Sequence, residues 1–192
     1  TEAESAFLYM IEAQMGIVAD LSRADILLYG QLSQYEAVVV AHARPHSLAH
    51  VYVKGREGRV VDTNRRPEVL QALAGKPQKE HRSFIAEGAP VIRQALPIYY
   101  PPQVGSMSSA ANGESSCKPR VIAALMIATN LIEYERHRLR SEIFRQVLKK
   151  LQMLLINGQL VGAETLSPFG EQDGIIYVDG DGIIGYTSGI AA

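Results

Sequence analysis

Three histidines lie close together in the first third of the sequence, at spacings that could place them around a metal ion. His42, His46 and His50 recur every four residues, which is the interval between neighbours on one helix face. Pro45 prevents a single helix from running through all three. No further cysteine, histidine or aspartate at the usual spacing completes a tetrahedral site. We therefore expect ordinary polar histidines in a strand and a loop, and no metal site.

Cys117 is the only cysteine, which limits the thiol chemistry of the chain. A single cysteine cannot form an internal disulfide, and thiol redox exchange needs a second sulfur. The residue lies in a segment rich in serine, glycine and alanine, with no histidine beside it. The sequence also has no serine, histidine and aspartate at a recognisable spacing and no glycine-rich phosphate loop. We therefore predict no catalytic residues in this chain.

A small-molecule pocket is the remaining possibility for a chemical site. Residues 51–74 are expected to cross a sheet without a long apolar stripe of their own, which leaves room for polar side chains between the two. The alternative is that these side chains bond to one another or face water. The candidate pocket residues are His42, Arg44, Tyr52, Asn64, Arg65 and Tyr99.

The overall composition indicates one globular domain, or one domain and a fragment of another. The 192 residues are 47% hydrophobic, which is enough for a proper core. A net charge of −1 gives no electrostatic reason to expect nucleic acid or an anionic membrane as a partner. No apolar run approaches the roughly 18 residues of a membrane-spanning helix. We expect a cytoplasmic protein without nucleic-acid or membrane partners.

The elements that position these residues follow from periodicity and turn signals. Strands grouped as hairpins, with helices to one side, predict an α+β fold with an antiparallel sheet. Residues 103–119 are predicted to form a loop that is dispensable for folding, because they are small, polar and without periodicity. Helices are predicted over 2–21 and 65–74, and strands or extended pieces over 24–29, 36–44, 51–54, 59–62, 91–100 and 121–129.

A single long helix is predicted over residues 131–157, which contain neither proline nor glycine. An apolar stripe at alternating spacings of four and three is typical of helix pairing, so we expect this helix and the first one to form a dimer interface. The alternative is one long helix lying on the sheet of a monomer. The stripe residues are Phe144, Leu148, Leu151 and Leu155.

The end of the sequence predicts a second hairpin with a glycine-rich turn, DGIIYVDGDGIIGYTS at residues 173–188. It resembles the first two strands of a PAS domain. Upstream, VADLSRADILLYG at 18–30 and EAVVVAHARP at 36–45 resemble the GAF-type N-terminal domain of bacterial two-component sensor histidine kinases. The positions that match the PAS opening are Asp173, Gly174, Ile175, Ile176, Asp179, Asp181, Gly182, Ile184, Tyr186 and Ser188.

This resemblance implies a GAF-like sensor domain over 1–157 with a long C-terminal signalling helix. A linker over 158–172 and the truncated start of a PAS domain over 173–192 would follow it. The antiparallel sheet would carry a possible ligand pocket on one side. The N- and C-terminal helices would pack on the other side and form a homodimer.

The resemblance further implies a regulatory signal-input and dimerisation domain of a cytosolic kinase. A change at the sheet would pass through helix 131–157 to a downstream PAS domain and kinase core. No cofactor is evident in this chain; ATP and Mg²⁺ are expected only in the kinase core, and a response regulator is expected as the partner of the parent.

His137, in YERHRLR, lacks the flanking pattern of a phosphoacceptor, so we do not expect this chain to be an enzyme. The alternative is a stand-alone small-molecule-binding or scaffolding GAF-type protein without kinase activity. The two hypotheses differ in the reading frame beyond Ala192, where the first expects the rest of a PAS domain and a kinase core.

Overall fold

A computed structural model describes residues 1–46, 50–62, 64–76, 82–102, 119–170 and 172–188 of the chain. Six strands form one antiparallel sheet in the order β3-β2-β1-β6-β5-β4. The predicted α+β class and antiparallel sheet are confirmed. The loop predicted at 103–119 lies, apart from its last residue, outside the described residues. The strands are β1 Asp25–Gln31, β2 Glu36–Ala43, β3 Val60–Asp62, β4 Arg82–Ala86, β5 Ala89–Tyr100 and β6 Arg120–Asn130.

The first helix, α1 (Glu2–Ser22), starts at a capping box. The Thr1 side chain accepts a hydrogen bond from the backbone N–H of Glu4, and the Glu4 side chain bonds back to the cap. This arrangement satisfies backbone donors that have no partner within the helix. The helix ends at Arg23, which takes the left-handed conformation at φ 50°. The predicted helix over 2–21 is confirmed.

The sheet is buried on both faces, and alternate residues of each central strand point to opposite sides. Ile26 and Leu28 of β1 pack under α1, whereas Leu27 and Tyr29 face the short helix α2 (Pro67–Leu73). All four side chains are at most 1% exposed. Two separate cores result, and we call their sides the α1 face and the α2 face of the sheet.

The predicted helix over 131–157 is in fact two helices, α3 (Leu131–Arg138) and α4 (Glu142–Ile156). Ser141 caps α4, because its hydroxyl accepts a hydrogen bond from the Phe144 N–H at 3.2 Å. A serine can compete in this way with a continuous helix even where no proline or glycine is present. The predicted end of the long helix at Asn157 is confirmed, because α4 ends at Ile156 and Gly158 takes φ +65°.

One further prediction about elements was wrong, and one strand was missed. Residues 51–54 form bends and not an extended piece. Strand β4 was not predicted; it pairs with β5 through a tight turn in which Glu87 and Gly88 both have positive φ.

The chain continues through a short 3₁₀ helix (Ala163–Thr165) to a separate hairpin of β7 (Ile176–Val178) and β8 (Ile184–Thr187). Its turn is held by Asp179 Oδ1, which accepts hydrogen bonds from two backbone N–H groups of the turn. The hairpin packs on α4. The Lys150 ammonium donates to the Tyr177 hydroxyl at 2.7 Å, and the rings of Phe144 and Tyr186 lie 5.8 Å apart.

Within the described ranges, none of the helices combines the length and apolar character needed to cross a membrane.

Candidate functional site

A buried ion pair lies at the centre of the α2 face. Glu68, in the first turn of α2, meets Arg93 of β5, with Oε1 and Nη1 3.2 Å apart. The two residues are 5% and 3% exposed. The Arg93 guanidinium also lies 3.6 Å above the centroid of the Phe84 ring. Burial lowers the pKa of Arg93, and the neighbouring charge of Arg66 lowers it further.

Two buried phenols border this ion pair. Tyr29 and Tyr52 are 1% and 2% exposed. The Arg66 guanidinium donates to the Tyr52 hydroxyl at 3.5 Å. Burial raises the pKa of Tyr29 to about 12, against the opposing charge and hydrogen bond of Arg66. The guanidinium carbon of Arg56 lies 4.6 Å from the centroid of the Tyr52 ring.

The third part of the site joins strands β1 and β2 to the segment that follows them. Asp25 and His42 have fully buried side chains, with Oδ1 and Nε2 3.4 Å apart. The Tyr52 N–H donates to Asp25 Oδ2 at 3.0 Å, and the Tyr52 ring meets the His42 ring edge-on at 6.0 Å. The Asp25 carboxylate therefore anchors the loop after β2 to the sheet.

The structure brings only some of the predicted pocket residues together. His42 and Tyr52 are in contact within the α2 face. Arg44 is exposed and donates to the Val53 carbonyl at 3.3 Å. Asn64 and Arg65 are also exposed, and their backbone N–H groups both donate to Asp62.

Tyr99, the sixth predicted residue, is half-buried on the α2 face, near the C-terminal end of α2. Its hydroxyl would lie 3.7 Å from a Cβ atom placed on Gly75. Gly75 has φ +70° and comes directly after the end of α2. Tyr99 is therefore near the far end of the helix from Glu68, and not in the buried cluster.

Five residues of the site were missed, of which four are buried and Arg66 is half-buried. A sequence signal exists for two of them, because a charged residue within an apolar strand must find a partner when it is buried. Asp25 opens the run DILLY, and Arg93 interrupts VIRQAL. The partners on α2 and the buried phenol become visible only once the helix is placed on the sheet. The missed residues are Asp25, Tyr29, Arg66, Glu68 and Arg93.

This cluster, which we call the α2-face cluster, offers hydrogen-bonding groups but no reactive pair. It consists of Asp25, Tyr29, His42, Tyr52, Arg66, Glu68 and Arg93. Within the described residues, Glu68 Oε2 and His42 Nδ1 are buried without a hydrogen bond, whereas Glu68 Oε1 and His42 Nε2 face Arg93 and Asp25. Buried polar atoms of this kind are the ones that a polar ligand could satisfy. No group of metal-binding side chains is found among the described residues.

The predicted dimer residues occupy a different environment from the one expected. Phe144 and Leu155 are 6% and 0% exposed within one subunit, and Leu148 and Leu151 are half-buried. The stripe therefore faces α1 and the sheet of its own subunit. The exposed apolar side chains of α4 are Ile143, Met153 and Leu154, at 49%, 47% and 37%.

A solved structure shares this fold. The sensor region of a sensor histidine kinase superposes with a TM-score of 0.66 at 23% identity, covering 100% of this chain and 61% of that chain. This chain thus spans less than two thirds of that sensor region. The likeness supports a GAF-like arrangement of sheet and helices.

Weaker matches carry no argument about fold or function. They include an "IcIR" transcriptional regulator from Alicyclobacillus acidocaldarius, at a TM-score of 0.44 and 12% identity over 80% of this chain and 68% of that one. Another is a putative transcriptional regulator from Rhodococcus sp. RHA1, at 0.45 and 16% over 84% and 74%. No curated protein has a significantly similar sequence.

The sequence family is shown by a match to the GAF domain of histidine kinase PdtaS over residues 1–119. This match covers more than half of the chain and includes α1, the first five strands and α2. It also contains every residue of the α2-face cluster. The chain therefore belongs to the family of GAF domains found in PdtaS histidine kinases.

Proposed function

We propose that this chain is the signal-input and dimerisation part of a cytoplasmic sensor histidine kinase. The observation that carries the proposal is the match of residues 1–119 to a histidine kinase GAF domain. In the proposed parent, residues 1–157 are the sensor domain, 158–172 are a linker and 173–192 begin a PAS domain. ATP and Mg²⁺ belong to the kinase core of that parent, and its partner is a response regulator.

The signal in this proposal is a small polar ligand bound at the α2-face cluster. The buried Glu68 Oε2 and His42 Nδ1 atoms, which have no hydrogen bond, support this choice, because a ligand that satisfies them gains affinity from groups already removed from water. The guanidinium groups of Arg66 and Arg93 would donate to acceptors on the same ligand. The exposed predicted residues Arg44, Asn64 and Arg65 would lie at most at the edge of such a site.

The dimer in this proposal uses the outer faces of α1 and α4. On α4 the exposed apolar side chains are Ile143, Met153 and Leu154, and on α1 they are Tyr9 and Met10. Burying such side chains contributes about 25 cal/mol per Å² of apolar surface. Ligand binding would favour one packing of these helices, and the linker would pass the difference to the PAS domain.

The experiment is an autophosphorylation assay on the parent protein with the ion pair replaced by apolar residues. The double variant Glu68→Leu/Arg93→Met removes both charges and keeps the volume, so the domain is expected to remain folded. We expect the rate of phosphate incorporation to change several-fold. Glu12→Gln, an exposed change on α1, is the control and should leave the rate unchanged. An unchanged rate in the folded double variant would contradict a regulatory role for this site.

A further inference from the structure

Asp20 has a position that neither the fold nor the ligand site explains. It lies in the last turn of α1 and is 7% exposed. Its two carboxylate oxygens accept hydrogen bonds from two different segments. The His46 N–H donates to Oδ1 at 2.5 Å, and the Phe169 N–H donates to Oδ2 at 2.9 Å.

The first of these segments leads to the α2-face cluster. His46 follows the end of β2, the strand that carries His42, and the Arg44 guanidinium donates to the carbonyl of Val53, the residue after Tyr52. The Tyr52 N–H is held by Asp25, and the Tyr52 hydroxyl accepts from Arg66. A displacement of Tyr52 would therefore act through the contacts of Val53 with Arg44 and of Tyr52 with His42 on the end of β2, next to the His46 N–H that is bonded to Asp20.

The second segment is the linker between α4 and the terminal hairpin. It is attached to α1 at two polar points: the Leu160 N–H donates to the buried Gln14 side chain at 3.3 Å, and the Phe169 N–H donates to Asp20. Beside it lies an open cavity of about 780 Å³, bounded by α1, α4, the linker and the hairpin. The linker therefore has free space next to the few contacts that hold it.

We propose that Asp20 is a positioning residue that couples the α2-face cluster to the linker. Because each oxygen of one rigid carboxylate serves one segment, the side chain cannot rotate to follow one segment without weakening its bond to the other. Hydrogen bonds to a charged acceptor are also the stronger ones, and this carboxylate has little access to water. The inference rests on the proposed function for its direction, from ligand site to downstream domain.

The first test compares Asp20→Asn with Glu12→Gln, a change of the same kind at an exposed position of α1. An asparagine side chain has one acceptor oxygen and one amide nitrogen that only donates. It therefore cannot accept from both segments. Hydrogen exchange is measured by NMR at the amides of His46 and Phe169 and at the core amide of Leu125, which reports global opening. We expect Asp20→Asn to accelerate exchange of one of the two bonded amides at least tenfold relative to Leu125, and Glu12→Gln to change neither.

The second test measures the coupling itself. Tyr52→Leu removes the ring contacts and the hydroxyl at the cluster end of the pathway and leaves Asp20 in place. With Asp20 present, we expect exchange at Phe169 to rise at least threefold relative to Leu125. With Asp20→Asn, Tyr52→Leu should have no further effect at Phe169.

Either of two results would overturn the proposal. One is equal exchange at Phe169 in the native and Tyr52→Leu proteins, which decides the matter even if Asp20→Asn does not fold. The other is the same response to Tyr52→Leu with and without Asp20. Neither result depends on kinase activity. A parent without phosphate transfer would refute the proposed function and leave the coupling intact.

Discussion

The ion pair between Glu68 and Arg93 is the residue-scale feature on which the α2 face depends. Removing one member of a buried pair leaves the other charge in a medium that solvates it poorly. We predict that Glu68→Leu lowers the free energy of unfolding by about 3–5 kcal/mol, whereas Glu68→Leu/Arg93→Met stays within about 1 kcal/mol of the native protein or exceeds it. Urea denaturation measures both. Equal losses in the single and double variants would show that the pair is not the source of the effect.

Tyr29 gives a second prediction at this scale, for alkaline pH. The folded state keeps the phenol proton until about pH 12, and the unfolded chain releases it near 10. The folded state therefore binds more protons in this window, so its stability is complete below pH 10 and is lost as the pH rises towards 12. The loss should reach about 2–3 kcal/mol.

Urea denaturation between pH 9 and about 11.5 checks this expectation. Tyr29→Phe removes the titrating group and should flatten the decline. Tyr35→Phe is the matched control, because Tyr35 is 62% exposed and should leave the decline as it is. A native slope that persists in Tyr29→Phe would contradict the assignment.

The residue scale also shows what the sequence could predict of the site. His42 and Tyr52 were predicted, and the structure places them in contact. Asn64 and Arg65 were predicted as polar side chains of the segment that crosses the sheet, but both are exposed just before α2, whereas Arg66 is half-buried and Glu68 is buried. Helix rotation is decided by which face packs on the sheet. A stretch of only 7 helical residues carries too little periodicity to specify it.

At the scale of elements, the junction between α4 and the linker depends on a glycine. Gly158 has φ +65°, and a Cβ atom there would lie 2.5 Å from Met10 Cε and 2.8 Å from Phe7 Cε2 on α1. We predict that Gly158→Ala destabilises the fold by about 2–4 kcal/mol, from backbone strain and from overpacking together.

Gly162→Ala is the matched control for this prediction. Gly162 has φ +86°, but nothing lies within 4 Å of the added atom. Only backbone strain applies there, so we expect Gly162→Ala to lower the free energy of unfolding by about 1 kcal/mol. Thermal denaturation of the two variants separates backbone strain from overpacking. Equal losses of stability in the two variants would show that α1 does not pack tightly on the junction.

The strands and helices were predicted better than their interruptions. Strands β1 and β2 follow from apolar runs and a turn, and α1 follows from its stripe. The break between α3 and α4 was missed because the sequence has no proline or glycine there. Ser141 followed by Glu142 is an N-terminal signal, but its strength against a continuous helix depends on tertiary contacts.

At the scale of the whole molecule, the proposed signalling through the outer faces of α1 and α4 needs two chains. We predict a dimer by light scattering, with twice the 21.0 kDa of one chain. Met153→Glu places a charge on the exposed face of α4 and should shift the mass towards the monomer. Leu32→Glu, in the exposed turn after β1, is the control and should leave the dimer unchanged. A native protein that is monomeric at micromolar concentration would contradict dimerisation through these helices.

Transfer of labelled phosphate from ATP, measured on the parent protein and on residues 1–192 side by side, tests whether this chain is the sensor of a histidine kinase. Phosphoryl transfer needs groups that hold the nucleotide and place its γ-phosphate beside a nucleophile. The sequence of this chain has neither a glycine-rich nucleotide loop nor a histidine in a phosphoacceptor context. We predict label in the parent and none in residues 1–192. Label on His137 of this chain, or a parent that incorporates none, would contradict the assignment as the sensor of a histidine kinase.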